Sequence, residues 1–157
     1  MGLAVARLLA AAHGSWHIHI LDINETRGAQ VAHDLPHTTF HKVDITHRDE
    51  LKKAFDSVFQ HENRRRLDFV FANAGVIERT NFYAHHDEDD EGSTAELDMF
   101  PIDVDLKGVI LTSYLALQYF RLSPHRGRGA NLVITASCGG LYPSFYSPMY
   151  SAAKCKC

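Results

Sequence analysis

Strand-like and helix-like segments alternate along almost the whole of this 157-residue sequence, and no other feature restricts the fold as strongly. The strand-like segments are short and rich in Ile, Val and Phe. Four strands are predicted, over residues 16–21, 38–43, 67–72 and 131–136. Helices between successive strands favour a parallel sheet with right-handed crossovers. The alternation therefore predicts one α/β domain over residues 1–157.

The helices between these strands have recognisable starts. Asn24 suits the cap of a helix over residues 25–34. Thr46 with Asp49 resembles a capping box at the start of the next helix. A long helix over residues 98–122 is apolar on most of its circumference, which predicts burial on more than one side. We therefore expect a second copy of the chain to pair through this helix as a homo-oligomer.

Composition and charge exclude several classes of partner. The net charge of −3 and the pI near 6.4 give no general attraction to nucleic acid or to an anionic membrane. No apolar run reaches the roughly 18 residues that a membrane-spanning helix needs. Three cysteines, an odd number, do not suggest a disulfide framework. We expect a cytoplasmic protein without nucleic-acid or membrane partners.

A glycine and an aspartate frame the first predicted strand. Gly2 opens the helix that leads into the strand, and Asp22 follows the strand 20 positions later. In dinucleotide-binding folds the last glycine of the phosphate loop stands at a helix start, and an acidic residue about 20 positions on binds the ribose hydroxyls. A carboxylate at Asp22 would repel a 2′-phosphate and so favours NAD over NADP. The alternative is an ordinary aspartate at a strand end.

Polar and small residues also follow the next two strands. Asp44 suits a hydrogen bond from an adenine amino group, and it equally suits a cap on the following turn. The third strand ends in Asn73, Ala74 and Gly75. Small residues leave room for a flat cofactor against the backbone, and the asparagine can pin neighbouring strands. An ordinary strand-to-loop turn also favours Asn and Gly.

Three residues near the end of the sequence form the strongest candidate for chemistry. Ser137 follows the fourth strand, and Tyr150 and Lys154 are four positions apart, on one face of a helix. A free tyrosine has a pKa of about 10, and a neighbouring ammonium favours the phenolate. The serine hydroxyl can hold a substrate oxygen and share its developing charge. An isolated Tyr/Lys pair would be an ordinary surface pair, but here it follows the strand-end residues in a fixed order.

Taken together, the segments GLAVA, LDIN, VDIT, FANAG, VDLKGV and ITASCGGLYPSFYSPMYSAAK make the sequence resemble the short-chain dehydrogenase/reductase family over essentially its whole length. The resemblance implies a Rossmann-type doubly wound parallel sheet. It also implies an NAD-dependent oxidoreductase, with NADP less favoured, that interconverts a small-molecule secondary alcohol and a ketone. Within the family, overall similarity leans toward the type that includes 15-hydroxyprostaglandin dehydrogenase.

The resemblance also implies a role for each matching residue. Ser137 is the substrate-orienting serine, Tyr150 is the acid/base, and Lys154 is both a ribose ligand and the activator of the tyrosine. The matching cofactor positions, which include Tyr150 and Lys154 as well, are Gly2, Asp22, Asp44, Asn73, Ala74 and Gly75.

Asp105 departs from the family pattern in the segment VDLKG. The family usually has an asparagine there, and that residue helps to position a water in the proton path to the lysine. We include Asp105 among the candidate catalytic residues, because an aspartate of the same shape could pair with Lys154 or disturb this relay.

The family pattern also extends beyond this sequence at both ends. We expect a truncated chain with an incomplete sheet, lacking the first strand and the C-terminal strands of the family. The strand at 16–21 is expected to pair with that at 38–43, and the strand at 67–72 with that at 131–136. No ladder is expected between 16–21 and 67–72, because the family's first strand lies in that position.

Other interpretations remain open at this point. A non-catalytic fragment would at most bind nucleotide weakly or pair with a full-length relative. A flavodoxin-like or receiver-type regulator fits the alternation of strands and helices, but it does not explain the ordered Ser, Tyr and Lys. No metal site is predicted, because neither of the two histidine pairs shows a convincing ligand spacing; these are His17 with His19 and His85 with His86. The C-x-C of Cys155 and Cys157 is interpreted as a chance feature.

Overall fold

The computed structural model describes residues 1–12, 16–83 and 97–155. Strands and helices alternate as the sequence predicts. In chain order, the elements are α1 (Gly2–Ala11), β1 (Ile18–Asp22), α2 (Glu25–Asp34), β2 (Thr38–Lys42), α3 (Arg48–Gln60), a 3₁₀ turn (His61–Asn63), β3 (Phe69–Ala72), α4 (Phe100–Ile102), a π-helical turn (Asp103–Gly108), α5 (Val109–Leu122), β4 (Asn131–Ile134), a second 3₁₀ turn (Cys138–Gly140) and α6 (Pro148–Lys154).

All strand pairing in the described residues is parallel, and it is divided between two ladders. β1 pairs with β2 from Ile18 opposite Thr38, and β3 pairs with β4 from Phe69 opposite Asn131. No ladder joins β1 to β3 within the described part of the chain. A cleft of about 1300 Å³ is lined by both of these strands and by α1. The predicted α/β class and the predicted pairing are confirmed.

The main hydrophobic core lies between α3 and α5 and reaches the strands beneath them. α3 contributes the fully or nearly fully buried Leu51, Phe55 and Phe59, and α5 contributes Leu115 and Phe120. These positions recur at helical spacing, so one face of each helix is apolar. Burial of each large side chain contributes about 1.5–3 kcal/mol. This core joins the two halves of the sheet through side chains.

The long helix is buried on one side rather than on several. α5 leaves Ile110 and Tyr114 each 58% exposed and Leu117 45% exposed, and their spacing places them on one face. The single chain therefore leaves one face of α5 uncovered. Pairing with a second copy through residues 98–122 stays a prediction.

A π-helical turn interrupts the predicted helix over residues 98–122. It covers Asp103–Gly108 and turns Asp105 into the protein interior. Gly108 is needed in this turn for close packing, because a Cβ at that position would lie 2.7 Å from Ile45 Cδ1. Periodicity alone cannot reveal such a turn, since it adds a single residue to the local helical repeat.

The two predicted helix caps have opposite outcomes. Asn24 Oδ1 accepts a hydrogen bond from Arg27 N at 3.0 Å, which confirms the cap of α2. The capping box predicted for α3 is wrong. The N-cap is His47, without a side-chain hydrogen bond, because the Thr46 hydroxyl donates to Asp44 instead.

Part of the sequence-based interpretation lies outside the described residues. Of the residues interpreted above, His85, His86 and Cys157 fall outside the description. Among the described helices, none is long and apolar enough to cross a membrane.

Candidate functional site

Asn73 links the carboxyl ends of β3 and β4 through a hydrogen bond and packs against the start of α1. Thr135, directly after β4, donates a hydrogen bond from Oγ1 to Asn73 Oδ1 at 3.1 Å. On its other side, Asn73 Nδ2 lies 3.1 Å from where a Cβ at Gly2 would stand. A larger residue at the helix start would have to displace the Asn73 side chain. The prediction that Asn73 pins neighbouring strands is confirmed, and its cofactor role stays a prediction.

Asp22 ends β1 at the rim of the cleft. Its Oδ1 accepts a hydrogen bond from Asn24 N at 2.8 Å, which shapes the turn into α2. Gly2, Asn73 and Ala74 line the same cleft. The structure therefore brings together four of the predicted cofactor residues around one space.

Asp44 lies apart from this group and caps the turn after β2. Its Oδ1 accepts hydrogen bonds from Thr46 N at 2.9 Å and Thr46 Oγ1 at 2.7 Å. Burial alone would raise the pKa of Asp44, but the hydrogen bonds from Thr46 and nearby positive charges outweigh burial, and the pKa is lowered. Of the two roles predicted for Asp44, the turn cap is observed, and contact with adenine stays a prediction.

Asp105 and Lys154 form a buried ion pair below the third strand's end. Asp105 Oδ2 lies 3.1 Å from Lys154 Nζ, and the two side chains are 0% and 4% exposed. Asp105 Oδ1 accepts a hydrogen bond from Val76 N at 2.8 Å. The ammonium is the only partner of Oδ2 among the described residues, and the contact lacks the geometry of an aligned hydrogen bond. The pairing of Asp105 with Lys154, one of two predicted consequences of this aspartate, is confirmed.

Gly75 packs directly against this ion pair. A Cβ there would stand 3.4 Å and 3.5 Å from the two Asp105 carboxylate oxygens and 3.5 Å from Lys154 Nζ. A side chain at position 75 would therefore crowd the ion pair. Lys154 Nζ also lies 5.5 Å from the centroid of the Tyr150 ring.

Ser137 and Tyr150 meet across the second 3₁₀ turn. Gly139 N donates to Ser137 Oγ at 3.1 Å. A Cβ at Gly139 would lie 3.5 Å from Ser137 Oγ and 3.2 Å from Tyr150 Cε1. The 3₁₀ turn and α6 thus place the hydroxyl of Ser137, the phenol of Tyr150 and the ammonium of Lys154 in one region. Such a group can bind a substrate oxygen and exchange a proton with it.

One residue of this region was missed by the sequence analysis. Glu78 Oε1 accepts a hydrogen bond from Met149 N at 2.8 Å, at the start of α6 and next to Tyr150. Its other oxygen, Oε2, is buried without a hydrogen-bond partner among the described residues. The two residues are 71 positions apart, so no local pattern could have indicated the contact.

The residues fit a dinucleotide cofactor. The cleft is bordered by small residues at Gly2 and Ala74 and by a carboxylate at Asp22. The buried ammonium of Lys154 can donate three hydrogen bonds, and Asp105 is its only charged partner in the described residues. Donors therefore remain for ribose hydroxyls.

Parallel strands with these groups at their carboxyl ends define a Rossmann-type nucleotide-binding fold. A family model described as short chain dehydrogenase matches residues 1–156. The chain belongs to this family of oxidoreductases. Membership supports a nicotinamide dinucleotide as the class of cofactor.

Similar proteins include fungal relatives and bacterial solved structures. The chain is 58% identical over 157 residues to the short-chain dehydrogenase/reductase prx7 of Penicillium rubens, covering 98% of this chain and 55% of that protein. It is 31% identical over 169 residues to the 5′-hydroxyaverantin dehydrogenase of Dothistroma septosporum, covering 98% and 54%. The chain therefore spans about half the length of these curated relatives.

A solved structure confirms the fold class independently. The 3-ketoacyl-(acyl-carrier-protein) reductase from Brucella melitensis, complexed with NADH, superposes with a TM-score of 0.76 at 18% identity. The alignment covers 99% of this chain and 59% of that one.

Proposed function

We propose that residues 1–157 form the NAD-binding and active-site segment of an oxidoreductase that interconverts a secondary alcohol and a ketone. The observation that carries the proposal is the buried Asp105–Lys154 pair beside Tyr150. Lysine is rarely buried unless it is paired, and this pair keeps the ammonium next to the Tyr150 ring. Bound NAD would supply the hydride acceptor.

Each residue of the site has a defined part in this reaction. Tyr150 takes the proton of the alcohol, or returns it to the ketone in reverse. Ser137 Oγ already accepts a hydrogen bond from Gly139 N, so its own hydrogen is available to the substrate oxygen. Lys154 lies beside the Tyr150 ring and offers its remaining donors to the ribose. Asp105 holds the lysine in place and is a positioning residue in this scheme.

The cofactor preference follows from Asp22. Its carboxylate lies at the rim of the cleft, where it would accept hydrogen bonds from ribose hydroxyls and repel a 2′-phosphate. We expect calorimetric titration of the purified chain to give tighter binding of NAD than of NADP. Asp22→Ser should narrow the difference. Asp34→Ser is the matched control, because it removes an exposed carboxylate that lies outside the cleft.

Equal or tighter binding of NADP by the unchanged chain would overturn the proposed preference. An equal effect of the two serine substitutions would show that general charge, and not the position of Asp22, decides it.

A second candidate is supported by the separation of the two ladders. Asp22 and Asp44 belong to the β1–β2 half, and Ser137 and Asn73 belong to the β3–β4 half, with no described backbone ladder between them. The chain would then be a non-catalytic domain that binds nucleotide weakly or pairs with a full-length relative.

Turnover separates these two functions. We expect little activity from the chain alone, since a site divided between unpaired halves is poorly held. NAD-dependent oxidation of simple secondary alcohols that disappears in Tyr150→Phe would establish the enzyme. NAD binding without turnover would favour the second function. Turnover that survives Tyr150→Phe would refute the role of the tyrosine. The lean toward the 15-hydroxyprostaglandin dehydrogenase type stays a prediction.

A further inference from the structure

A group of histidines gathers at the end of the sheet opposite the candidate active site. His17 precedes β1, and His61 opens the 3₁₀ turn after α3. His19 lies on β1, with its ring 4.8 Å from that of His61. Asp22 is five residues from His17 along β1, roughly 16 Å at the usual rise of a strand. The group is therefore separate from the cofactor edge.

We propose that His17, His61 and Glu62 bind a divalent transition-metal ion of the Zn²⁺ type. Each residue offers one ligand atom, and the three atoms lie within 4.8 Å of one another. His17 Nδ1 and His61 Nε2 are 3.2 Å apart. Bonds from zinc to imidazole nitrogen of about 2.0–2.1 Å place two ligands of a tetrahedral ion about 3.3–3.4 Å apart. The observed separation already matches one edge of such a tetrahedron.

The carboxylate of Glu62 completes the set of protein ligands. Its Oε1 lies 3.8 Å from His61 Nε2, and its Oε2 lies 3.7 Å from His17 Nε2. Arg64 binds Oε2 at 2.9 Å, which leaves Oε1 as the oxygen for the metal and fixes the carboxylate from behind. Partners of this second layer orient the ligands of protein metal sites.

Neutral imidazole nitrogens and a carboxylate suit zinc, cobalt, nickel or copper rather than magnesium or calcium. His19 is not among the three residues whose ligand atoms converge, so the fourth position is assigned to water. His17 and His61 line the large cleft, which gives an ion a path from solvent. Without a metal, the same contact is a hydrogen bond between two neutral imidazoles, and this is the rival explanation.

The test uses the whole chain without a polyhistidine tag, stripped with EDTA and then freed of the chelator. Zn²⁺ is titrated in competition with a chromophoric chelator. We expect one ion per chain, and affinity that falls as the pH is lowered and the histidines become protonated. Co²⁺ in place of Zn²⁺ should give the intense visible bands of a four-coordinate ion with nitrogen and oxygen ligands.

Variants decide which residues bind the ion. His17→Gln, His61→Gln and Glu62→Gln should each weaken Zn²⁺ binding by at least about tenfold. His33→Gln is the matched control, because its side chain is 85% exposed and outside the group. Glu62 is exposed, so its substitution leaves the fold intact even if a histidine variant does not. Circular dichroism checks each variant.

Cysteine is the main competing ligand, so the titration is repeated on Cys155→Ser with the other thiols alkylated. Unchanged binding supports the histidine site, and loss of binding there would overturn it. No binding of Zn²⁺ by the wild-type chain would also overturn it, as would equal affinity in the control and all three ligand variants.

Discussion

Replacement of Asp105 by asparagine changes one charge and almost no volume, and we expect it to destabilise the chain strongly. Asp105 now accepts a hydrogen bond from Val76 N at 2.8 Å and forms an ion pair with Lys154 Nζ at 3.1 Å. The amide of an asparagine has a single acceptor oxygen. One of the two donors must then face the NH₂ group, and the lysine keeps its charge at 4% exposure.

The expected magnitude follows from this burial. Removal of one partner from a buried ion pair costs about 3–5 kcal/mol. The asparagine amide can still make one hydrogen bond, so we expect the loss of stability in Asp105→Asn to lie near the lower end of this range, at about 3 kcal/mol. With a urea dependence of about 2 kcal/mol per molar, the unfolding midpoint should fall by about 1.5 M. Equilibrium unfolding in urea, followed by circular dichroism, measures this shift.

A matched control lies in the same π-helical turn. Asp103 pairs with Lys107 at 3.6 Å, but both side chains are about half exposed. Asp103→Asn should therefore cost at most about 1 kcal/mol. Lys154→Met in the Asp105→Asn background should restore most of the lost stability, because no unpaired charge is left buried. Equal shifts for the two asparagine variants, or no rescue by methionine, would refute the reasoning.

Two further predictions concern the β1–β2 half. Gly28→Ala should lower the free energy of unfolding by about 1–3 kcal/mol, because the new Cβ would lie 2.0 Å from Phe40 Cε2 and the ring must move. Unfolding in urea measures this change. Gln30→Ala, at an exposed position on the same helix, is the control and should be nearly neutral. Burial, followed by repulsion from neighbouring histidines, lowers the pKa of His19 from 6.5 to about 4. Between these two pH values the unfolded chain binds the proton and the folded chain does not, so stability should fall as the pH falls. Thermal unfolding in EDTA should show a shallower pH dependence for His19→Gln, and identical slopes would contradict the prediction.

The sequence was sufficient for features that depend on neighbouring residues along the chain. Strand and helix positions follow from hydrophobic periodicity. Asn24 caps α2 as predicted, because the capping hydrogen bond joins residues only three positions apart. The Asp105–Lys154 pair was predicted as one of two alternatives. The family pattern had assigned a role to Lys154, and Asp105 replaced the asparagine that the family usually has. Such inferences rest on interactions between residues close in sequence, or on a sequence pattern that is typical of a known fold.

Features that depend on packing between distant segments could not be predicted. His17 and His61 are 44 positions apart and meet only because α3 returns the chain to the start of β1. The hydroxyl of Thr46 had two available partners, the backbone of α3 and the carboxylate of Asp44, and it bonds to Asp44. The exposed face of α5 depends on how many neighbours cover the helix, which its own sequence does not determine.

The division of the sheet into two ladders has a consequence for the dynamics of the chain. Opening one ladder breaks no backbone hydrogen bond of the other, so their amide protons can exchange with solvent as two separate cooperative units. Asp22 belongs to the first unit, whereas Lys154 packs beside the second, near Gly75. A ligand that contacts both would couple their opening, and protection against hydrogen exchange would then rise in the two ladders together.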